Sequence, residues 1–433
     1  MYFFIDFLPI WQKDVIILLK CFPGLEELLV TKGHCKLKNL KDQSKLLLRL
    51  IQQKGPITRN QIMDITKMKL TTLKRFMQPL LDEGFVIEAD LAESTGGRPP
   101  VLYDVNPKTY YVIGIDISRT YTEVVITNLK MKIIDLYRFG PPFDPVNTVN
   151  QICSYIENKL HQLCIEKSMV IGGGVGTVGP LDRKKGIMLN PANFPSNMWV
   201  DVPIKDMLQQ KLRLPITVDN GANAAVLAEH LFGAGQNTDN ISYFHCGMGI
   251  RTGTISSGNI IRAMNDYEDA FGHMVIDING DLCHCQNRGC IETYCSIPSI
   301  TKKFKESLKQ SISGYVNKPY DEIDFLDICA AAEENDELAQ AAITSAATIF
   351  GIGLANYINL VNPELVILSG PIVKHSALFY KIAVEMALKR KYVKNHGVSF
   401  SRGGHFKDNA IAVGAAVLLI EEILKNKNAK LLV

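Results

Sequence analysis

From Ser44 to Leu81 the apolar positions recur at helical spacing, in three bursts separated by breakers. Leu46, Leu47, Leu50 and Ile51 predict a first helix over Ser44–Gln53, stopped by Gly55-Pro56. Thr58 followed by Gln61 is a capping box, with Ile57 and Ile62 at the positions of a hydrophobic staple, so a second helix starts there. After a tight Lys67-Met68-Lys69 connection, Leu70, Leu73, Phe76, Met77, Leu80 and Leu81 mark the buried stripe of a third helix. Pro79 inside it is expected to kink the helix or shorten its last turn, because proline removes a donor and crowds the preceding turn. The period then changes from helix to strand. Val86-Ile87-Glu88 and Val101-Leu102-Tyr103 flank Thr95-Gly96-Gly97-Arg98-Pro99-Pro100, which reads as a hairpin. Three short helices and a hairpin make a winged helix-turn-helix.

Beyond Asn106-Pro107 the pattern is of a different kind. Tyr111–Ser118, Thr122–Asn128 and Ile133–Phe139 are three β-rich runs in quick succession, followed by a helix around Thr148–Leu163 and a strand at Met169–Gly174. Ile216–Asn220 leads directly into a helix over Ala222–Leu231 with Gly233 as its stop. A second cycle starts at Ile241 and closes with a helix near Leu338–Leu360, a strand at Leu365–Leu368 and a terminal helix near Ala410–Lys425. Antiparallel strands feeding βα units, twice over, predict two α/β lobes around a cleft. The expected units are an extension (1–40), the winged helix-turn-helix (41–106), a first lobe (107–235) and a second lobe (236–433) whose terminal helix packs back on the first. Glycine-bearing turns at Gly114, Gly172–Gly176, Gly247–Gly249 and Gly370 fall where such a fold would cradle a nucleotide; each alone is an ordinary turn.

Composition bounds the reading. The 433 residues are 47% hydrophobic and 21% charged, which suits a chain with ample core and excludes a disordered or disulfide-stapled polypeptide. Residues 1–30 are apolar but broken by Asp6, Lys13, Asp14 and Lys20, too short a run for a membrane span. They read as an amphipathic extension to which no role is assigned. The net charge of +3 argues against nucleic-acid binding until it is divided. Between Lys32 and Arg75 there are twelve cationic residues and two acidic ones, a net +10, leaving −7 for the remainder. That segregation over a helix-turn-helix is the footprint of a phosphate-backbone binder. Thr71, Thr72, Lys74, Arg75 and Gln78 on the third helix, Arg59 at the start of the second and Arg98 at the hairpin tip are the candidate contacts to double-stranded DNA.

The ten cysteines are equally uneven. Cys283, Cys285 and Cys290 sit together, ten residues after Gly272-His273, and the others are scattered except for Cys295 just behind. One imidazole and three thiolates at His273, Cys283, Cys285 and Cys290 suit tetrahedral Zn²⁺, and four protein ligands leave no position for water, so the metal is expected to be structural. His284 or Cys295 in place of one of these ligands is the alternative.

These features together resemble the ROK family, which joins sugar-responsive repressors to sugar kinases of the two-lobed, actin-like ATPase (ribonuclease H-like) fold. The resemblance covers about 390 residues, from near Lys41 to the end. It rests on the cysteine motif, with Gln286 where a glycine is usual, on the Gly96-Gly97-Arg98-Pro99 wing of the repressor branch, and on Asn362-Pro-Glu364 and Ala412–Ala416. It implies a carbohydrate effector held by Asn193, Asn220, His273 and Glu292. The glutamate that the family carries three residues before the histidine is Ala270 here, with Glu268 and Asp269 just upstream.

Three departures bear on catalysis. Family kinases carry an aspartate general base in an Asn-Asp-Ala-Asn segment, whereas this chain reads Asn220-Gly221-Ala222-Asn223, and glycine cannot accept a proton. The first phosphate turn has Ser118-Arg119 for two glycines, putting side chains where backbone must approach phosphate. The late adenosine-side turn has Ser369-Gly370-Pro371 in place of a glycine run. The resemblance therefore implies a cytoplasmic, sugar-responsive DNA-binding regulator without kinase activity or a membrane segment, acting as a homodimer or homotetramer. A sugar kinase with a regulatory head, and a DNA binder whose large domain only dimerises, are the rival readings.

Overall fold

The computed structural model describes residues 31–89, 100–262, 268–309, 316, 318–392 and 397–425. The expectations for residues 1–30 and for Arg98 lie outside these residues. The front of the chain forms helices α1 (Lys32–Lys38), α2 (Asp42–Lys54), α3 (Arg59–Thr66) and α4 (Leu70–Asp82), and strands β1 (Ile57–Thr58), β2 (Val86–Ala89) and β3 (Leu102–Val105). The capping box is formed: Thr58 Oγ1 accepts from the Gln61 amide while Gln61 Oε1 accepts from the Thr58 amide. Ile57 and Ile62 are both buried beside it. The stripe of α4 buries Leu73, Phe76, Met77 and Leu80. Leu70 departs from expectation and is 39% exposed, because it is the first residue of the helix and lies short of the core. Pro79 does not shorten α4, which runs on to Asp82 and closes with the Glu83 amide donating to the Pro79 carbonyl. The wing is a three-stranded sheet of order β1-β3-β2, in which β1 is an addition that a two-residue strand could not announce in the pattern.

The rest is two five-stranded sheets with helices on their faces. The first has the order β10-β7-β4-β5-β6, built from β4 (Tyr111–Ile117), β5 (Thr122–Asn128), β6 (Ile133–Phe139), β7 (Val170–Thr177) and β10 (Ile216–Asn220). The short pair β8 (Leu181–Asp182) and β9 (Ile187–Met188) lies outside it. The second has the order β13-β12-β11-β14-β15, from β11 (Ile241–Cys246), β12 (Ile250–Ser256), β13 (Asn259–Ile260), β14 (Leu365–Ser369) and β15 (Ser399–Arg402). In each sheet, antiparallel hairpins adjoin parallel strands at the centre. Among the described residues one helix, Glu337–Val361, is long and apolar enough to cross a membrane. Here it is a core helix whose Gly351 lies against the Ala383 backbone of the helix Ala377–Arg390.

The terminal helix, Ala410–Leu424, leaves the second lobe and packs on the sheet of the first. The approach is backbone to backbone. A Cβ on Gly114 of β4 would come within 1.9 Å of the Ala412 carbonyl oxygen, and one on Gly174 of β7 within 1.8 Å of that of Ala415. The same helix pairs with the front unit through Arg49 Nη2 and Glu421 Oε2, 2.5 Å apart. The front unit is joined to the first lobe at further points: Thr31 Oγ1 donates to the Val170 carbonyl at 2.6 Å, Gln52 Nε2 to that of Leu129 at 2.9 Å, and Lys130 pairs with Asp104 at 2.7 Å. One hydrophobic core runs through both, from Leu37, Leu47, Ile51 and Leu80 to Val112, Ile171 and Leu419. Helix α1 sits in this junction with Leu37 fully buried, and Tyr110, on the linker to β4, stacks on Phe85 at 4.5 Å.

A shared core predicts shared unfolding. Leu37→Ala should destabilise the head and the first lobe together, in one transition, by about 2–5 kcal/mol. Urea titrations read separately by probes in the head and the lobe test it, and two resolved transitions would refute it.

Candidate effector cleft, metal cluster and DNA-reading face

On the reading face, Thr71, Lys74, Arg75 and Gln78 of α4 are exposed and Thr72 is half-buried, while Arg59 is exposed at the first turn of α3. These side chains follow from helical spacing, since the same turns bury Leu73, Phe76, Met77 and Leu80 on the opposite side. Arg75 lies over the Phe76 ring at 4.5 Å, and Gln78 Nε2 donates to Asp82 Oδ1 at 2.7 Å.

The metal cluster forms between the short turn at Gly272-His273 and the loop Cys283–Cys290. One ligand atom from each of His273, Cys283, Cys285 and Cys290 lies within 4.8 Å of the others. His273 Nδ1 is 3.5 Å from Cys283 Sγ, and Cys285 Sγ is 3.6 Å from Cys290 Sγ. Zn²⁺ with bonds of about 2.3 Å to sulfur and about 2.05 Å to nitrogen gives tetrahedral edges of about 3.6 Å and about 3.8 Å, so the set has the size of a zinc site. Gly289 has φ +69°, and a Cβ there would run into the Asp277 carbonyl. Gln286 also sits at positive φ, +73°, which explains why glycine is the easier residue at that position. The alternative ligands are used elsewhere. Cys295 is buried and donates to the Ala346 carbonyl at 3.2 Å, and His284 Nε2 lies 2.9 Å from Glu292 Oε1.

Glu292 is the hinge between the metal loop and the interlobe cleft. Its other oxygen accepts from the Ile250 amide at 2.8 Å. Burial opposes its charge, yet His284, the Ile250 amide and the nearby Arg119 guanidinium hold its carboxyl below the ordinary value. His273 faces the same carboxylate, with His273, His284 and Glu292 forming a second compact group. Of the four expected effector contacts, the structure thus brings His273 and Glu292 together. Asn220 is buried at the end of β10, where its Oδ1 caps the helix Gly221–Phe232 through the Ala222 amide, and its Nδ2 has no partner among the described residues. Asn193 is exposed at φ +57°, and it neighbours Ala192, whose carbonyl accepts from Arg119 Nε at 2.8 Å.

Two arginines that the sequence pattern did not single out as site residues dominate this cleft. Arg119 stands in the first turn, after β4. Arg251 comes from β12, is 2% exposed, and has Nε and Nη1 without partners among the described residues. A Cβ added to Gly221 would lie 3.2 Å from Arg251 Nη1, so a carboxylate at that position would meet a guanidinium. Asp219 is taken by Arg262, with contacts of 3.0 and 2.6 Å. Next to these, a cavity of about 310 Å³ is lined by Ser118, Arg119, Tyr121, His245, Gly249 and Arg251. Burial pushes Asp116 up to about 6 against the pull of Arg251 and Tyr121, and Glu123 up to about 7 although Arg138 contacts it at 2.5 Å. Burial and the two cleft arginines push His245 well down, so it is neutral.

Comparison with known proteins fits this geometry. Residues 112–422 match the sequence profile of the ROK family, and residues 40–87 that of a winged helix-turn-helix DNA-binding domain. The chain belongs to the ROK family. It is 30% identical over 386 residues to the xylose repressor of Bacillus spizizenii, covering 89% of this chain and 96% of that protein. It is 26% identical over 389 residues to the DNA-binding transcriptional dual regulator NagC of Escherichia coli, covering 88% and 93%. Among solved structures, a ROK family transcriptional regulator homologous to the E. coli MLC protein superposes with a TM-score of 0.73 at 24% identity, over 90% of this chain and 97% of that one. A ROK family glucokinase from Streptomyces griseus, solved with glucose and AMPPNP, superposes with a TM-score of 0.62 at 26% identity, over 71% of this chain and 98% of that one. The ROK fold of the two lobes is therefore common to regulators and kinases, and the head is what the larger overlap with the regulator adds.

The buried carboxyl of Asp116 gives the cleft a pH signature. An aspartate in the unfolded chain titrates near ~4, and Asp116 does so at about 6 in the folded protein. Its proton is held by the native state between those values, so its contribution to stability is full below the lower one and lost as pH rises through the higher. Asp116→Asn should therefore gain about 1.5 kcal/mol of stability relative to the wild type between pH 5 and pH 8, roughly half of the full linkage term. Chemical denaturation at both pH values checks this, and a pH-independent difference would exclude it.

Proposed function

We propose that this ROK protein is a sugar-responsive transcriptional repressor of carbohydrate-utilisation genes that has lost phosphoryl transfer. The observation that carries the reading is the reading head itself, a winged helix-turn-helix with an exposed polar and basic row on α4, set on a ROK domain. The relatives matched along nearly their whole length bear the names of a xylose repressor and of NagC. In this reading α4 enters the major groove with Thr71, Thr72, Lys74, Arg75 and Gln78, Arg59 and the wing residue Arg98 hold the backbone or minor groove, and a homodimer or homotetramer reads a pseudo-palindromic operator. The site of action is the cytoplasm, where the DNA is.

The effector is a carbohydrate. His273 and Glu292 accept its hydroxyls, with Asn220 and Asn193 completing the set from the first lobe. Because these groups come from both lobes, a bound sugar favours one lobe geometry over another and so acts on the head. His273 turns Nδ1 to the metal cluster and leaves its other nitrogen for the effector. The metal is Zn²⁺, held by His273, Cys283, Cys285 and Cys290 in a closed shell, and its role is to fix the loop that carries Glu292. Phosphoryl transfer fails for two physical reasons. Gly221 supplies no base to deprotonate a hydroxyl, and Arg251 stands where a restored carboxylate would be neutralised.

Arg75→Ala should weaken operator binding by about 10–100-fold, the value of one good base contact, in gel shifts with the DNA upstream of its own gene. Equal affinity of the variant, or no sequence-selective binding by the wild type, would refute the reading. Xylose and N-acetylglucosamine are the first effector probes, and Glu292→Gln should abolish the thermal stabilisation given by whichever binds. Purified protein should carry one zinc per chain, and Cys290→Ser should lose most of it. Steady ADP release with any hexose or pentose would restore the kinase reading.

A further inference from the structure

A second cavity lies outside the interlobe cleft. It lies at the junction of the head with both lobes, has a volume of about 920 Å³, and is walled by one face of α2, the Arg183-Lys184 turn after β8, the end of β10, the turn and strand at Gly258–Arg262, and the last turns of the terminal helix. Seven of its lining residues are Lys or Arg and four are Asp or Glu. Two of those acids are already engaged, Asp219 by Arg262 and Glu421 by Arg49. Lys45, Lys184, Lys205 and Lys425 form no ion pair among the described residues, although all four border one cavity.

We propose that this cavity is a binding site for a small polyanion of the condensed-phosphate or bisphosphate class. Like charges gathered around one concavity focus their field inward and raise the local concentration of anions. Its volume is that of a small-molecule pocket rather than a surface dimple, and a single phosphate would fill only a small part of it. The four lysines come from three bodies: Lys45 from the head, Lys184 and Lys205 from the first lobe, and Lys425 from the end of the terminal helix. A multivalent anion is the ligand that meets several of them at once. It bridges the head to the lobes and holds the head at one angle. The site also adjoins the effector site through the backbone, because Asp219, on the cavity wall, immediately precedes Asn220 and ties β10 to Arg262 of the second lobe. It is separate from the DNA-reading row, which lies on the exposed face of α4.

The probe is inorganic tripolyphosphate, titrated calorimetrically into the full-length protein at 150 mM salt. One saturable site per chain is expected, together with a rise in melting temperature. Lys184→Gln/Lys205→Gln should weaken binding at least tenfold with zinc content and unliganded melting temperature unchanged. Lys74→Ala/Arg75→Ala, on the reading face, should leave it within twofold. Displacement by ATP or by fructose 1,6-bisphosphate then separates a nucleotide from a sugar bisphosphate as the source, and displacement by neither assigns the site to inorganic polyphosphate. No saturable binding, or binding lost in the α4 variant and kept in the cavity variant, overturns the proposal. The outcome is independent of the sugar-response reading, since no carbohydrate or operator enters the titration.

Discussion

Everything in this molecule leans on the terminal helix Ala410–Leu424. It is buried along almost its whole length, and its backbone touches that of β4 and β7 where Gly114 and Gly174 leave room. A Cβ on its own Gly414 would strike the Ala224 carbonyl of the helix Gly221–Phe232. A helix that follows the second lobe in sequence is therefore packed into the first, and its far end holds Arg49 of the head. Close-packed interiors transmit displacement rather than absorb it. A change in lobe geometry that moves this helix moves the head with it, which is the mechanical requirement of a regulator whose sensing site and reading site are distant.

The cleft departs from a bare phosphate-binding turn in the side chains it carries. A phosphate-cradling turn needs bare backbone, and here the turn after β4 carries Arg119, whose guanidinium reaches the Ala192 carbonyl and the neighbourhood of Glu292. Arg251 occupies the space beside Gly221. Buried guanidinium groups are costly unless they meet carboxylates: Arg251 draws on Asp116 and Arg119 on Glu292, while burial works the other way and raises the Asp116 carboxyl. The cleft is thus lined by buried arginines from both lobes, Arg119 from the first and Arg251 from the second.

Much of the fold was legible because its signals are local. The Thr58–Gln61 box, the α4 stripe, the strand runs of the first lobe and the long alanine- and glycine-rich helix ending at Asn362-Pro363 all lie within one element each, and their bounds agree with the structure to within a few residues. The metal motif was legible for the same reason: Cys283 to Cys290 is a single loop, and only His273 had to be brought in, from ten residues away. What escaped were features made by residues far apart. The strand β1 exists only because β3 pairs with it, and α1, lying in a segment read as an extension without a role, is ordered by Val170 and Tyr110.

The amino-acid pattern by itself determined the order of elements, the segregated charge of the head and the set of thiol and imidazole groups available to a metal, since each depends on neighbours within a few residues. Tertiary structure alone decided that the head shares a core with the first lobe, that Arg251 faces Gly221, and that four lysines surround one cavity. Those are consequences of burial and charge meeting across hundreds of residues, where spacing along the chain carries no information about distance.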